Sequence, residues 1–472
     1  MNNPSGIVII GGGASATLLA HALRRTQGRD CLIVDPSPRF ALGAAYGTRC
    51  IGHLLNVPAS GMSGLAEAPD HFVRWLHRQI DPGIAPGAFI PRALYGLYIE
   101  QLLQESGATL LRDEVVSCRM SRTAAGSGGY RLRLGSGREI DASTVVLALG
   151  HFPPAPIPGL SAGILADPRY VNDVWREGAR ISGPDEPLVL IGSGLTAIDM
   201  VMKARLEGHR GTICLLSRHA RLPEAHRPEA HRPKAQRPEA HRSEPLPDVP
   251  VIDMAGGDAR LGVCVRQFHD AIRSGVPWRA AVDSLRSVSN SLWQGFSAAE
   301  RARFDRHLRR RWDIARHRIA PQIASFLHNE QQAGTLELHA GRVTGITADQ
   351  AGLTVTAIHN GRQSVLRAGR VLNCTGPDLR YDRVGSPLLD DLFSSGLARP
   401  GHNGMGLDTD ETGRLTARPT GKGDRSGSAL YTLGPARLGT MFESIAIPEI
   451  RQQAYDLAAE LAARLRTASS RL

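Results

Sequence analysis

Two copies of a strand, glycine turn and helix pattern, two further apolar strands that end in glycine, and one arginine-rich helical stretch predict an α/β fold. The expected architecture is two Rossmann-like dinucleotide-binding domains plus a helical insertion. At 472 residues the chain has room for about three average domains, and its 42% hydrophobic and 21% charged content excludes collagen-like, coiled-coil and wholly disordered classes. Glycine, at 51 residues, exceeds the usual share, as a chain with many tight turns requires. The net charge of +11 leaves nucleotides and other anionic small molecules, nucleic acid and anionic membranes open as partners. The six cysteines form no CxxC pair and read as reduced, buried thiols. MNNPSGIVIIGGG lacks the basic start and apolar length of a signal peptide or membrane span, so a cytoplasmic protein is expected.

The first fingerprint opens the chain. The strand-like run Gly6 to Ile10 leads into Gly11-Gly12-Gly13-Ala14-Ser15-Ala16 and the helical pattern TLLAHALRR, which is GxGxxG with alanine last. Gly11 is expected to make the tight turn, Gly13 to let the backbone approach a pyrophosphate, and Ala16 to let helix and strand pack closely, with Ser15 in the same first helical turn. Asp35 ends the next strand, CLIVD, where an acid can hold a ribose hydroxyl. The second copy is PLVLI followed by Gly192-Ser193-Gly194-Leu195-Thr196-Ala197 and IDMVMKARLEG. Its next strand ends in Ser217-Arg218 with no acid, and a hydroxyl beside a guanidinium suits a 2′-phosphate, which favours NADP over NAD; a solvated surface arginine is the alternative.

Two more strands stop at glycine, Thr144 to Gly150 and Arg370 to Gly376, and each follows a strand-turn-strand pattern. Such strands carry the chain between paired dinucleotide domains. The expected layout is a discontinuous FAD domain over 1–155 and 335–472, a nested NADP domain over 156–265, and a helical insertion over 266–334.

Several segments then point to a family. They are Gly43 to Thr48 (GAAYGT), His53 to Ala59 (HLLNVPA), Gly61-Met62-Ser63, Asp70-His71-Phe72, Phe89 to Tyr98, Gly150 to Pro154, Trp312 to Pro321, Asn373 to Pro377, Leu433-Gly434-Pro435 and Phe442 to Arg451. On these the chain resembles, over nearly its whole length, a bacterial family of FAD/NAD(P)-binding proteins similar in layout to the class B flavin monooxygenases, N-hydroxylating enzymes of amino-acid amines among them. The resemblance implies that Tyr46 to Ser63 wraps the flavin, with His53, Asn56 and Met62 nearest it. It also implies cofactor contacts from Val115, Gly376, Gly434 and Pro435, and from a helix beginning around Ser444. The residues alone leave an ordinary polar loop open as the alternative for 46–63. Asn56 is the candidate polar group near a flavin hydroperoxide, and Arg92 and Arg316 are candidates for positioning substrate or nicotinamide; structural hydrogen bonding is the alternative for each.

The implied function is an FAD-dependent, NADPH-using oxidoreductase, a monooxygenase that N-hydroxylates or oxidises an amine or amino acid with molecular oxygen. An NADPH oxidase or flavin reductase without hydroxylation, and a non-catalytic redox-responsive binding module, are the alternatives. No nucleic acid or membrane partner is expected, and a homo-oligomer is left open. Residues 223–248, with histidines and prolines at a five-residue period, read as an exposed flexible loop rather than a metal site, because that period with proline builds no helix face. Residues 301–318 carry eight arginines against two aspartates, interrupted by Phe304, Leu308 and Trp312 at helical intervals. That pattern is read as a partly buried helix whose arginines are paired, solvated or directed at an anion.

Overall fold

The computed structural model describes residues 6–122, 128–176, 178–179, 183, 185–226, 250–252, 260–416 and 429–469. The first module begins β1 (Ile7–Ile10), α1 (Ala14–Gln27), β2 (Leu32–Asp35), and continues through α2 (Gly43–Tyr46), α3 (His71–Gln79) and α4 (Arg92–Ser106) to β3 (Thr109–Arg112). An antiparallel meander of β4 (Val115–Arg122), β5 (Gly128–Leu134) and β6 (Glu139–Ala142) then returns the chain to β7 (Thr144–Leu147). Every residue of β1 is buried because its two faces meet different cores: Ile7 and Ile9 pack with α1, α4 and the C-terminal helix, while Val8 and Ile10 pack with the meander. That is why the strand reads as an unbroken apolar run.

The second module repeats the plan. After α5 (Ala162–Ala166) and the short β8 (Tyr170–Val171) come β9 (Leu188–Ile191), α6 (Leu195–Leu206) and β10 (Ile213–Ser217). Here the chain leaves for the insertion, made of α7 (Leu261–Arg273), α8 (Trp278–Ser284), α9 (Ser289–Gly295), α10 (Ala298–His307), α11 (Arg309–Arg316) and α12 (Pro321–Gln332). It re-enters through β11 (Leu336–Ala340), the meander β12 (Arg342–Asp349), β13 (Gly352–His359) and β14 (Arg362–Ala368), and β15 (Arg370–Asn373). The first module is completed by α13 (Pro387–Ser394), β16 (Ala429–Thr432) and α14 (Ile447–Ser469), which packs on α1. The two parallel sheets run β16-β7-β1-β2-β3 and β11-β10-β9-β15-β8, with matching order around the first strand of each fingerprint.

This pairing corrects the expected boundary at residue 335. Leu336–Ala340 pairs with Ile213–Ser217, and Arg370–Asn373 pairs with Leu188–Ile191, so 336–373 belong to the second module. Two apolar strands alone do not say which sheet they enter; register does. Gly376 accordingly lies at the return from the second module, and the two crossings meet where Phe152 pairs with Asp378. The insertion starts earlier than expected, at Leu261, and the arginine-rich stretch is two helices that part at Leu308. Among the described residues no helix is long and apolar enough to cross a membrane. All six cysteines are free, and burial pushes the thiols of Cys31, Cys118 and Cys214 up to about 12.

Candidate functional site

The two glycine loops have the same geometry. Gly11 (φ 103°) and Gly192 (φ 124°) lie where side chains are disfavoured, and a Cβ on either would collide with the carbonyl oxygen of the neighbouring strand, Ala148 or Cys374. Gly13 and Gly194 cap α1 and α6 with φ/ψ of −85°/−166° and −89°/−167°, with no side-chain cap and no acid in either first turn. A Cβ on Gly194 would meet nothing within 4 Å, and one on Gly13 would meet only the Gly43 backbone, at 3.6 Å or more. Each helix thus offers free first-turn N–H groups beside open space, an arrangement that fits the diphosphate of a dinucleotide.

Position by position the loops then diverge. Gly12 donates its N–H to Asp35 Oδ2 at 2.6 Å, and Asp35 Oδ1 accepts from Ser37 N at 2.7 Å, so the carboxylate holds the loop that it faces. In the second module Ser193 replaces Gly12 and Ser217 replaces Asp35, and their hydroxyls lie 2.8 Å apart. Ser193 Oγ also lies 2.7 Å from Arg221 O and accepts from Arg310 Nη2 at 3.1 Å. Burial, together with Arg218 and Arg221 close by, lowers the pKa of Arg310 despite the opposing pull of Asp313. Three arginines therefore gather where the first module has its acid. Leu195 and Thr196 form the first turn of α6 behind them.

Around the first loop, Ser15 is buried under Gly434, which donates its N–H to Gln453 Oε1 at 2.9 Å. Ala16 is fully buried against the sheet core as expected. The Tyr46 ring packs tilted against Tyr95 with centroids 4.8 Å apart, and burial raises its phenol pKa. Other residues expected to contact the cofactor lie in the packed interior. Met62 and Val115 lie in the two cores, and Ser63 Oγ closes its own loop on Ala68 O at 2.7 Å. Ser444 and Pro435 are buried, and α14 begins at Ile447, three residues beyond Ser444. In this fold these residues sit in or beside the two packed cores.

His53, Arg92 and Asn56 lie at the junction between the modules. Arg92 on α4 pairs with Asp199 on α6 at 2.8 Å, and both side chains are buried. His53 Nε2 donates to Asp199 O at 2.9 Å, which leaves Nδ1 to accept from Thr48 Oγ1 at 2.8 Å. Asn56 O accepts from His226 Nε2 at 3.0 Å. His226 is part of the segment expected to be a flexible loop, yet 224–226 bond to Ile314 O and Ile319 O and so are ordered; 227–248, with His231 and His241, lie outside the described residues. Arg316 is likewise committed, through a two-pronged bond to Glu443 at 2.9 Å and 2.9 Å. The sequence signal for this junction was Asp199, a lone carboxylate inside the apolar helix pattern IDMVMK, which must find a buried cation.

The junction predicts acid sensitivity. Burial pushes the imidazoles of both His53 and His226 down to about 4, against 6.5 when free. Their contribution is present above 6.5 and lost as pH falls towards 4, because the unfolded chain takes up those protons first. Asp199, raised to about 6 by burial, opposes this more weakly over 3.8 to 6. Urea midpoints are expected to fall between pH 7 and 4.5, and to fall less in His226→Gln.

A cleft of about 760 Å³ separates the insertion from the first module. Gln294 and Arg301 line one wall, and Arg399, Asp408, Asp410 and Glu411 the other, so it presents both signs of charge.

Residues 8–152 match a family model described as FAD-NAD(P)-binding. No curated protein matches the chain in sequence. Among solved structures the chain is similar to L-lysine 6-monooxygenase from Pseudomonas syringae, at 16% identity and a TM-score of 0.64, over 98% of this chain and 100% of that one. It is similar to the ornithine N-hydroxylase of Kutzneria sp. 744, solved with reduced FAD, NADP+ and L-ornithine, at 13% identity and a TM-score of 0.63, over 98% and 99%. It is also similar to the FAD-bound cadaverine monooxygenase of Erwinia amylovora, at 12% identity and a TM-score of 0.64, over 98% and 95%. Residues 8–152 thus resemble an FAD-NAD(P)-binding domain, in a chain whose fold is similar to that of these three structures along almost its full length.

Proposed function

We propose that the protein is an FAD- and NADPH-dependent monooxygenase that N-hydroxylates an amino group of an amino acid or diamine. The observation that carries the reading is the pair of superposable glycine mouths on facing modules, one ending in Asp35 and the other in Ser217 with arginines beside it. FAD, when bound, supplies the oxygen-activating chemistry and NADPH supplies the electrons. In the first module Gly11, Gly13 and the start of α1 would hold the FAD diphosphate, with Asp35 free to accept from a ribose hydroxyl through its remaining lone pairs. In the second, Gly192, Gly194, Leu195 and Thr196 would hold the NADPH diphosphate and Ser217 with Arg218 its 2′-phosphate.

The protein's own tasks are orientation and exclusion of water. Arg92, Asp199 and His53 hold α6 against the first module, and so set the distance between the two cofactors. Arg316 and Glu443 hold the insertion over the same crevice. Asn56, half-buried at the junction, would offer its side-chain amide to a reacting amine. The two-signed cleft beside Arg301 and Glu411 suits a zwitterion, and the three similar enzymes act on ornithine, lysine and cadaverine.

The test is direct. Purified protein should be yellow, bleach with NADPH in the absence of oxygen, and oxidise NADPH faster with one of a panel of amino acids and diamines while a hydroxylamine accumulates. Failure to bind FAD would overturn the proposal; NADPH consumption that yields only peroxide with every panel member would replace it with an oxidase.

A further inference from the structure

Four of the eight arginines between 301 and 318 have partners within the insertion or the first module. Arg301 donates to Trp293 O and Gln294 O, Arg309 pairs with Asp305, Arg316 with Glu443 and Arg318 with Asp283. Arg310 differs in where its bonds go: it donates to Ser193 Oγ at 3.1 Å and Arg221 O at 2.8 Å, and among the described residues no carboxylate pairs with it. Ser193 is the middle residue of the second glycine loop. Three like charges, on Arg310, Arg218 and Arg221, thus meet at the mouth of that loop.

The helix that carries Arg310 also touches the other module. Residues 309, 312 and 316 share one face of α11: the Arg309 guanidinium lies 4.7 Å from the Phe442 ring, the Trp312 ring packs tilted against Phe442 at 5.4 Å, and Arg316 bonds to Glu443. Residues 310 and 314 share the adjacent face, where Ile314 O accepts from Glu224 N at 3.0 Å just beyond Arg221. Phe442 and Glu443 are held from the insertion a second time, since both donate their N–H to Asn290 Oδ1, at 2.8 Å and 2.9 Å. One eight-residue helix therefore has the second module's nucleotide mouth on one side and the segment leading into α14 on the other.

We propose that Arg310 reads the 2′-phosphate of the reduced nucleotide, and that α11 acts as a strut that tightens the insertion on Phe442–Glu443 when the phosphate is bound. The inference rests on the NADPH reading above. A phosphate monoester dianion relieves the repulsion among the three guanidiniums and gives Arg310 charge-assisted bonds in place of a hydroxyl and a carbonyl. A nucleotide lacking that phosphate leaves Arg310 on Ser193 and Arg221, so the strut does not respond. Occupancy of the second module's mouth would thereby be felt at the segment leading into α14, in a coupling that must be reciprocal.

The experiment uses the full chain and two probes, 2′,5′-ADP and 5′-AMP. Calorimetry should show 2′,5′-ADP binding tighter, and Arg310→Gln should weaken it about tenfold while leaving 5′-AMP unchanged. Hydrogen exchange at the Phe442 and Glu443 amides should slow on adding 2′,5′-ADP to the unaltered protein and not on adding 5′-AMP, a measurement that needs no variant to fold. If Arg310→Gln keeps the preference, Arg310 does not read the phosphate; if the amides do not respond, α11 is no strut. If the unaltered protein binds the two probes equally, the NADPH reading itself falls, so the two failures are distinguishable.

Discussion

Gly13→Ala is expected to give a folded protein that has lost its flavin. The added methyl meets only the Gly43 backbone, at ordinary contact distances of 3.6 Å and 3.8 Å, so the apo fold has no reason to change. It would stand in the open mouth of α1, where a diphosphate must approach the backbone. FAD affinity should drop by at least about tenfold, which is ~1.4 kcal/mol, with the melting temperature of the FAD-stripped protein within about 2 °C of the parent. Gly11→Ala is the contrasting case. There the methyl collides with Ala148 O at a φ that disfavours any side chain, so the apo protein itself should lose about 2–4 kcal/mol. Absorbance spectra and urea titrations of the two variants separate loss of ligand from loss of fold.

Arg92→Met is expected to destabilise the chain by about 3–5 kcal/mol, because it leaves the buried carboxylate of Asp199 without its cation. The loss should grow with pH. Burial already raises the Asp199 pKa to about 6 with Arg92 present, and without it the pKa rises further, so folding must increasingly compete with ionisation of the unfolded chain as pH rises. Adding Asp199→Leu should restore most of the stability, since a buried ion pair is often replaceable by apolar groups. Urea unfolding at pH 5.5 and 8 measures both effects. If single and double variants fell equally, the pair would not be the junction's cohesive element.

Much of the fold was legible because its signals are local. A strand buried on both faces reads as an apolar run, and a glycine whose Cβ would strike a neighbouring backbone must be glycine; both loops and both helices fell where the pattern put them. The strands at 336–340 and 370–373 were also recognisable as strands. Their membership of the second sheet was not, because sheet choice is a pairing between residues more than a hundred positions apart.

The site divides in the same way. Gly11, Gly13, Gly192 and Gly194 lie at the strand–turn–helix junctions where the pattern puts them, with Asp35 and Ser217 facing them from the next strands, since such a turn is built from local sequence. His53, Arg92 and Arg316 each bond across an interface, His53 and Arg92 to the other module and Arg316 from the insertion to Glu443. A side chain's type says that it needs a bond, and only the tertiary structure says to whom. Arg310 shows this most clearly, as one of eight arginines between 301 and 318 that the sequence leaves equivalent. The turn of α11 at Leu308 and the placement of Ser193 across the crevice set it apart, because electrostatic roles depend on distances through space that composition does not contain.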